Sequence, residues 1–385
     1  MDYLLTEEQR MIQDLSRKIA EEKIRPIAKE LDEKGEFPYE VMKTLAESDL
    51  FGVYLPTEYG GFGGGVLELC LVTEELSRAC GGVAVSFAAN ALATYPILLY
   101  GNDSQKKKFL PDLARGKKLA AFALTEPEAG SDVSNVSTTA KREGDYYILN
   151  GTKHFITNGS VADICIVIAM TDKSKGPRGM SAFIVEKGQE GFSPGKKEEK
   201  LGIRASVTSE LIFNDCKVPK ENLLGREGMG FVMTMRTFDI SRPGVAAQAV
   251  GIAQGALDLT INYAKERKQF GRSISSFQGI QFMLAEMATE IEAARALVYS
   301  TAKMIDSGNT KVAKESAMAK MYASDVAMRV TTDCVQIYGG YGYMKDYPIE
   351  KYMRDAKITQ IYEGTNQIQR DIIAANLIKE SRKNK

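Results

Sequence analysis

Histidine, the side chain that most often transfers protons in enzymes, is almost absent from this chain, whereas carboxylates, tyrosines and lysines are common. His154 is the only histidine among 385 residues. Ser-His-Asp and Cys-His catalysis need a histidine beside a nucleophile, and most zinc enzymes need two or three. One histidine can fill only one such role, so no metal site is predicted. We expect His154 to be structural or to line a site, and any proton chemistry to rest on a carboxylate, a tyrosine or a lysine.

One candidate carboxylate stands at a predicted helix break near the C-terminus. Gly364 interrupts a helical pattern and leaves Tyr362 and Glu363 at the broken end. Thr365 or Asn366 could cap the helix that follows, and its N-terminal amides suit an anionic or carbonyl ligand. Spacing alone does not distinguish a ligand-facing Glu363 from a solvated loop carboxylate.

A second polar segment joins two predicted β segments. Residues 122–132, FALTEPEAGSD, contain the turn formers Pro127 and Gly130 and two hydroxyl groups, on Thr125 and Ser131. By composition this is a polar β loop, which does not by itself establish ligand binding.

The usual nucleotide-binding loops are absent. Neither GGFGGG at 60–65 nor GGYGY at 339–343 fits GxGxxG, and no GxxxxGKS/T occurs. Neither glycine cluster follows a predicted strand and opens a helix, so NAD and ATP sites of the usual kinds are not predicted.

Composition excludes several classes of protein. Lysine plus arginine and aspartate plus glutamate number 50 each, so the basic footprint of a nucleic-acid-binding protein is missing. The five cysteines have no CxxC spacing and are predicted to be buried, reduced thiols. The N-terminal pattern is a charged amphipathic helix, and no apolar run reaches the about 18 residues that span a bilayer. We therefore expect a cytoplasmic protein without membrane insertion.

Periodicity divides the chain into three regions and predicts an α+β fold. Residues 1–119 form an N-terminal α-helical domain, with helices near 6–33, 39–48, 66–79, 82–100 and 104–114. Residues 120–230 form a middle antiparallel β-barrel or sandwich domain, with Asn150-Gly151, Asn158-Gly159 and Lys187-Gly188 as turn signals. Residues 231–385 form a C-terminal four-helix bundle, with long helices near 241–268, 277–307 and 312–338.

Five ordered motifs resemble the acyl-CoA dehydrogenase family, and the similarity covers essentially the whole chain. They are FALTEPEAGSD, GTKHFITNG, ERKQFG, QIYGGYGY and YPIEKYMRDAKITQIYEGTNQIQ. The match is closest to short- and medium-chain members of the butyryl-CoA dehydrogenase type. The helix, β, helix order of that family agrees with the order predicted from periodicity.

The resemblance implies an FAD site and an acyl-CoA site. Glu363 matches the catalytic base. Phe155 stands where the family has tryptophan, so an aromatic wall remains without an indole. The other matches to FAD-binding positions are Phe122, Leu124, Thr125, Gly130, Ser131, Ile156 and Thr157, with Arg267, Phe270, Gln278, Gln336, Gly339, Gly340, Thr365, Asn366 and Gln367. The matches to substrate-binding positions are Ser131, Asp239, Ser241, Arg242, Tyr362 and Gly364.

The same resemblance implies a reaction and partners. The reaction is FAD-dependent α,β-dehydrogenation of a saturated short- to medium-chain acyl-CoA to the trans-2-enoyl-CoA, as in fatty-acid β-oxidation. Glu363 is the expected α-proton base, and the expected electron acceptor is an electron-transfer flavoprotein. Several FAD-binding segments are expected from a neighbouring subunit, which implies a homotetramer built as a dimer of dimers.

Alternatives remain within this assignment. They are a flavin oxidase on the same fold, a dehydrogenase for cyclic, branched or dicarboxylic acyl-CoA, and a binding subunit without catalysis. Some members place the base on the first long C-terminal helix, where this chain has Ser241. Residues 83–92 carry no charge, which favours a plain or lightly branched aliphatic acyl group.

Overall fold

The N-terminal third of the computed structural model, which describes residues 3–383, is helical. Helix α1 begins at a capping box in which Thr6 and Gln9 satisfy each other's backbone amides. Helices α4 and α5 are almost entirely buried and lead to the rest of the protein. The helices are α1 (Glu7–Ile19), α2 (Ala28–Lys34), α3 (Tyr39–Glu47), α4 (Val66–Ala79), α5 (Gly81–Tyr100) and α6 (Asp103–Ala114).

The middle of the chain forms one eight-stranded sheet. Its strands are β1 (Ala120–Ala123), β2 (Thr139–Glu143), β3 (Tyr146–Thr157), β4 (Ile164–Met170), β5 (Met180–Glu186), β6 (Phe192–Lys197), β7 (Thr208–Pro219) and β8 (Leu223–Leu224). The order is β6-β7-β3-β2-β4-β5-β8, with β1 beside β4.

The sheet is mixed rather than purely antiparallel, and its described strands do not close into a barrel. Strand β4 pairs in parallel with both β1 and β2, whereas the other pairs are antiparallel. The prediction of a turn at Asn150-Gly151 is wrong, because β3 continues through both residues with an irregular register against β7. A β-bulge and a turn favour the same small residues, so composition did not separate them.

Long helices return after the sheet and confirm the predicted helix, β, helix order. They are α7 (Gly230–Glu266), α8 (Gln278–Asp306), α9 (Ala313–Tyr338), α10 (Ile349–Lys357) and α11 (Asn366–Lys383), with a short hairpin of β9 (Lys268–Gln269) and β10 (Arg272–Ser273) after α7. Helix α9 packs against α7, α8 and α11. Helix α7 begins eleven residues before the predicted start at 241 and runs through Pro243.

Within residues 3–383, two helices, α5 and α7, are long and apolar enough to cross a membrane by length and composition. This corrects the expectation that no segment reaches that length. In each helix 78% of the apolar window is buried inside the protein, as is typical of core helices. The five cysteines are buried free thiols, as predicted.

Alternation along β1 connects the sheet to the helices. Ala121 and Ala123 belong to a core on one face of the sheet. Phe122 and Leu124 belong to the larger core, which is continuous with α4, α5 and α7. The loop that follows β1 is therefore held against the helices.

Glycines allow α7 to pass very close to α4. A Cβ atom on Gly251 would lie 2.2 Å from the carbonyl oxygen of Glu74, and one on Gly255 would lie 2.2 Å from that of Arg78. Both contacts are with helix backbone, which cannot move aside locally.

We predict that Gly251→Ala destabilises the fold by about 1–3 kcal/mol, because overpacking forces the two helices apart. Gly244→Ala is the matched control on the same helix, since its nearest neighbour would be a Leu69 methyl at 3.8 Å. Urea unfolding followed by circular dichroism measures both variants. Equal stability of the two variants would contradict the prediction.

Candidate active site

A cavity of about 130 Å³ lies where α5, the end of β1, β3 and α7 meet the connector between α10 and α11. Most of its lining is apolar and comes from the helices: Leu69, Val85, Ala88, Ala89, Ala91, Leu92, Phe238, Gly244 and Val245. Among the described residues, no lysine or arginine lines it, and Glu363 is its single carboxylate.

Glu363 reaches the cavity because the connector turns sharply. Glu363 has φ +50° and Gly364 has φ +93°, and both lie in the connector between the end of α10 at Lys357 and the start of α11 at Asn366. A left-handed conformation is unfavourable for a residue with a Cβ atom, so other contacts must stabilise it at Glu363. The carbonyl oxygen of Glu363 accepts hydrogen bonds from Arg242 Nε and Gln369 Nε2, both at 3.2 Å.

Glu363, the predicted base, is in contact with Ser241, which occupies the position of the alternative base. Ser241 Oγ donates a 2.5 Å hydrogen bond to Glu363 Oε2. Burial raises the pKa of Glu363, and the Ser241 hydrogen bond and the cations of Arg242 and Lys320 oppose that shift. Among the described residues, no group accepts a hydrogen bond from the backbone amide of Glu363. The amide is thus available to a ligand.

The residues after Glu363 divide into one cap and one buried anchor. Thr365 Oγ1 accepts from the amide of Ile368 at 3.3 Å, so Thr365 caps α11. The side chain of Asn366 is buried and hydrogen-bonded to Lys320, Ser324 and Asp325. Gln367 is exposed.

A second wall of the cavity comes from β3, where a register shift lies between Lys153 and Ile156. Phe155 sits in this bulge with φ +58° and is 61% exposed. Phe155, Ile156 and Thr157 line the cavity together with Phe122 of β1 and with Leu124 and Thr125 of the loop that follows β1. Within the described structure, the hydroxyls of Thr125 and Thr157 have no hydrogen-bond partner among protein groups.

Other predicted FAD residues lie around a separate concavity of about 500 Å³. Arg267, Gly339 and Gly340 line it, and the Arg267 guanidinium lies 5.3 Å from the centre of the Tyr341 ring. Phe270, at the tip of the β9–β10 hairpin, is 93% exposed. None of the residues that line this concavity also lines the Glu363 cavity. Gln278 and Gln336 are exposed on α8 and α9.

The remaining predicted ligand residues lie on accessible segments or beside the cavity. Gly130 and Ser131 are exposed on the loop after β1. Asp239 pairs with the buried Arg242 at 3.5 Å on α7. Ser241 and Tyr362 line the cavity itself.

A buried ion pair beneath the β1 loop was not predicted. Lys153 and Glu126 have side chains that are 0% and 2% exposed, and they meet at 2.7 Å. Lys153 Nζ also donates to the carbonyl oxygen of Leu124 at 2.9 Å. The sequence signal that could have indicated this pair is a lysine, Lys153, within a predicted strand between Gly151 and Phe155.

The ionisation of this pair favours the charged carboxylate. Burial acts to raise the pKa of Glu126, but the Lys153 ammonium and the hydrogen bonds from Ser137 and Thr138 outweigh it and lower that pKa to about 2. Burial lowers the pKa of Lys153 to about 8 against the attraction of Glu126. The pair secures Leu124 and Thr125 beside the cavity.

His154 lies beside Glu210 and outside the lining of the Glu363 cavity. Its Nε2 lies 2.5 Å from Glu210 Oε1, and its ring is edge-on to Phe155 with centroids 5.0 Å apart. It does not line the Glu363 cavity. A structural role for His154 stays a prediction that this geometry supports.

The chain matches three models of one family in order. Residues 6–117 match the acyl-CoA dehydrogenase N-terminal domain, 121–216 the middle domain and 228–378 the C-terminal domain. The chain belongs to the acyl-CoA dehydrogenase family. It is an oxidoreductase acting on CH–CH groups and a flavoprotein whose cofactor is FAD.

Several relatives are similar along their full length. The short-chain-specific acyl-CoA dehydrogenase of Clostridium acetobutylicum is 50% identical over 380 residues, covering 98% of this chain and 100% of that protein. Butyryl-CoA dehydrogenase from Megasphaera elsdenii is 50% identical with TM-score 0.96, covering 98% of this chain and 100% of that chain. A chain in a structure of the electron transferring flavoprotein of Acidaminococcus fermentans is 53% identical with TM-score 0.96, covering 98% of this chain and 99% of that chain.

Several residues that line the cavity have the chemistry to hold the flavin of this family. The exposed face of Phe155 offers a flat apolar wall to a ring system. The free hydroxyls of Thr125 and Thr157 offer donors and acceptors to the polar atoms of such a ring.

We predict that Lys153→Met costs about 3–5 kcal/mol of stability, because it leaves the Glu126 carboxylate buried without its cation. Lys141→Met is the matched control, since Lys141 and Glu143 form an exposed pair worth about 1 kcal/mol or less. Urea unfolding at neutral pH measures both variants. Similar losses in the two variants would refute a special role for the buried pair.

The same pair predicts a pH dependence of stability. Because the pKa of Glu126 falls to about 2 in the folded protein, its stabilising contribution is present above the ordinary value of 4.5. That contribution is lost as the pH falls from 4.5 towards 2. Glu126→Gln should flatten this part of the curve, and an unchanged curve would argue against the assignment.

Proposed function

We propose that this protein catalyses the α,β-dehydrogenation of a saturated short- to medium-chain acyl-CoA to its trans-2-enoyl-CoA, with Glu363 as the base. The observation that carries the proposal is the Glu363 carboxylate, held by Ser241 as the single carboxylate that the described residues contribute to a mostly apolar cavity. When bound, FAD supplies the acceptor for the hydride equivalent that leaves the β-carbon.

The raised pKa of Glu363 suits removal of a weakly acidic α-proton. A carboxylate at its ordinary pKa is a poor base for this proton, and burial moves its pKa towards the pH at which the enzyme works. The Ser241 hydroxyl orients one carboxylate oxygen and leaves the other for the substrate.

The free backbone amide of Glu363 provides a place for the thioester carbonyl. As the α-proton leaves, negative charge develops on that oxygen, and an oriented N–H stabilises it. One such donor is typically worth about 3 kcal/mol of transition-state stabilisation. The left-handed turn that directs the carboxylate into the cavity thus also leaves this donor unpaired.

The lining supports a short aliphatic acyl group. The helix residues that line the cavity are uncharged, and two similar proteins are a short-chain-specific acyl-CoA dehydrogenase and a butyryl-CoA dehydrogenase. Part of the cavity wall is Tyr362, whose hydroxyl donates to Gln248 Oε1, and Gln248 Nε2 donates in turn to the carbonyl oxygen of Gly81 at 2.9 Å. These bonds hold Tyr362 in the wall of the cavity. The lack of a basic residue disfavours a dicarboxylic substrate.

Two partners complete the proposal. The similar chain in the electron transferring flavoprotein structure supports such a flavoprotein as electron acceptor. The separate concavity at Arg267, with exposed Phe270, supports a homotetramer in which a neighbouring subunit contributes FAD contacts.

We expect Glu363→Gln to lower the rate of flavin reduction by about 10²–10⁴-fold, the usual contribution of a positioned base. The measurement is anaerobic bleaching of the visible flavin band by butyryl-, octanoyl-, isobutyryl- and glutaryl-CoA. Glu143→Gln, an exposed carboxylate on β2, should behave like the unaltered protein.

Butyryl-CoA should bleach fastest and glutaryl-CoA slowest. No bleaching by any of the four with FAD bound would refute the proposed reaction. Rapid consumption of oxygen by the reduced protein would favour an oxidase.

Phe270→Asp should weaken assembly and FAD retention together, because it places a charge on an apolar surface that a neighbouring subunit would cover. Light scattering and the ratio of flavin to protein measure the two effects. Phe62→Asp is the control, since Phe62 is also exposed but lies on the glycine-rich loop before α4. A monomeric protein that retains full FAD would contradict the composite site.

A further inference from the structure

A buried lysine stands behind the turn that carries Glu363. Lys320 lies on α9, and its side chain has no exposure to solvent. It does not line the cavity, so substrate has no direct access to it. A fully buried lysine is rare and requires partners that offset the loss of hydration.

Those partners lie on either side of the start of α11. Lys320 Nζ donates to the carbonyl oxygen of Gly364 at 2.8 Å and to Asn366 Oδ1 at 2.9 Å. Gln369 Nε2 supplies the other donor to the Gly364 carbonyl, at 2.9 Å. Lys320 therefore binds the residue directly after Glu363 and anchors the strained turn to α9.

Ser324 lies one helical turn further along α9 and makes a neutral version of the same contact. Its hydroxyl lies within hydrogen-bond distance of both the oxygen and the nitrogen of the Asn366 side chain, at 3.2 and 2.9 Å. It carries no charge and does not contact Gly364. The two side chains thus allow anchoring of Asn366 to be separated from the effect of an ammonium group.

The charges around Lys320 are few and well defined. Glu363 and Asp325 favour its protonated form, and Arg242 opposes it. Burial is the largest influence and lowers the pKa of Lys320 to about 7. In the other direction, the Lys320 ammonium favours ionised Glu363, which is the form that can accept a proton.

We propose that Lys320 is a positioning residue for Glu363, fixing the Glu363–Gly364 turn through the Gly364 carbonyl and stabilising the ionised carboxylate through its positive charge. The inference rests on the proposed role of Glu363 as the base. It assigns to α9 a function in proton removal although α9 contributes no residue to the cavity.

The test compares Lys320→Met, Lys320→Gln and Ser324→Ala as FAD-loaded proteins. The main readout is the pH dependence of flavin reduction by butyryl-CoA. Loss of the ammonium raises the pKa of Glu363. As the pH is lowered, the rate of flavin reduction should therefore begin to fall at a higher pH than in the unaltered protein. We expect the acid limb, the low-pH part of the curve of rate against pH, to shift to higher pH by at least about half a unit in both lysine variants. No such shift is expected in Ser324→Ala.

A second readout does not depend on turnover. Infrared difference spectra between the unaltered protein and Glu363→Gln isolate the carboxyl band of Glu363, which can be titrated directly. The same difference taken in the Lys320→Gln background should show the carboxyl protonating at higher pH. Lys320→Gln retains a donor for the Gly364 carbonyl, so it decides the question if Lys320→Met does not fold.

The role of Lys320 would be overturned if the Lys320 variants had the same acid limb and the same Glu363 carboxyl titration as the unaltered protein. An equal shift in Ser324→Ala would also overturn it, because the effect would then come from anchoring Asn366 alone. Failure of the underlying reaction looks different. In that case the unaltered protein is not bleached, or Glu363→Gln is bleached as fast as the unaltered protein.

Discussion

The left-handed turn at Glu363 and Gly364 is the constraint on which the site depends. A residue with a Cβ atom is held at φ +50°, and its carboxylate is directed into an apolar cavity. Neither feature is favourable in isolation. Donors from three helices offset the cost: Arg242 on α7, Lys320 on α9 and Gln369 on α11 bind the carbonyls of the turn. Helices α7, α9 and α11 thus stabilise together the unfavourable turn at Glu363 and Gly364.

On the other wall of the cavity, the loop after β1 is a second irregular segment that other parts of the structure hold in place. The loop after β1 has to bring Leu124 and Thr125 to the cavity although it is polar and irregular. The Lys153–Glu126 pair fixes it from beneath, and the bulge in β3 turns Phe155 towards the same space. Both walls therefore use a buried lysine to hold backbone carbonyls, Lys153 at Leu124 and Lys320 at Gly364.

The close passage of α7 and α4 connects these two walls. Helix α7 carries Ser241 and Arg242 to the Glu363 turn, and it can approach the N-terminal helices because Gly251 and Gly255 lack a Cβ atom. Helix α5 supplies small uncharged residues to the lining of the cavity. Close packing of helix backbones thus holds the helix that carries Ser241 and Arg242 against the N-terminal helices.

The sequence by itself determined the order of the elements and the break at Gly364, because periodicity and glycine act locally. The five motifs also identified the family, and the predicted break placed Glu363 just before a new helix, which begins at Asn366. Local patterns did not determine the parallel pairing of β4 with β1 and β2, the bulge at Asn150-Gly151 or the early start of α7. Those depend on neighbours distant in the chain.

Tertiary structure alone decided which side chains meet. Ser241 and Glu363 are 122 residues apart, and Lys320 lies 44 residues before Gly364, yet both pairs are hydrogen-bonded. Nine of the predicted FAD residues divide between the two cavities: six, among them Thr125 and Phe155, line the one at Glu363, and Arg267, Gly339 and Gly340 line the other. Burial and distance set the ionisation of Glu363, Lys153 and Lys320, and no local pattern encodes them, because desolvation depends on everything that packs around a group.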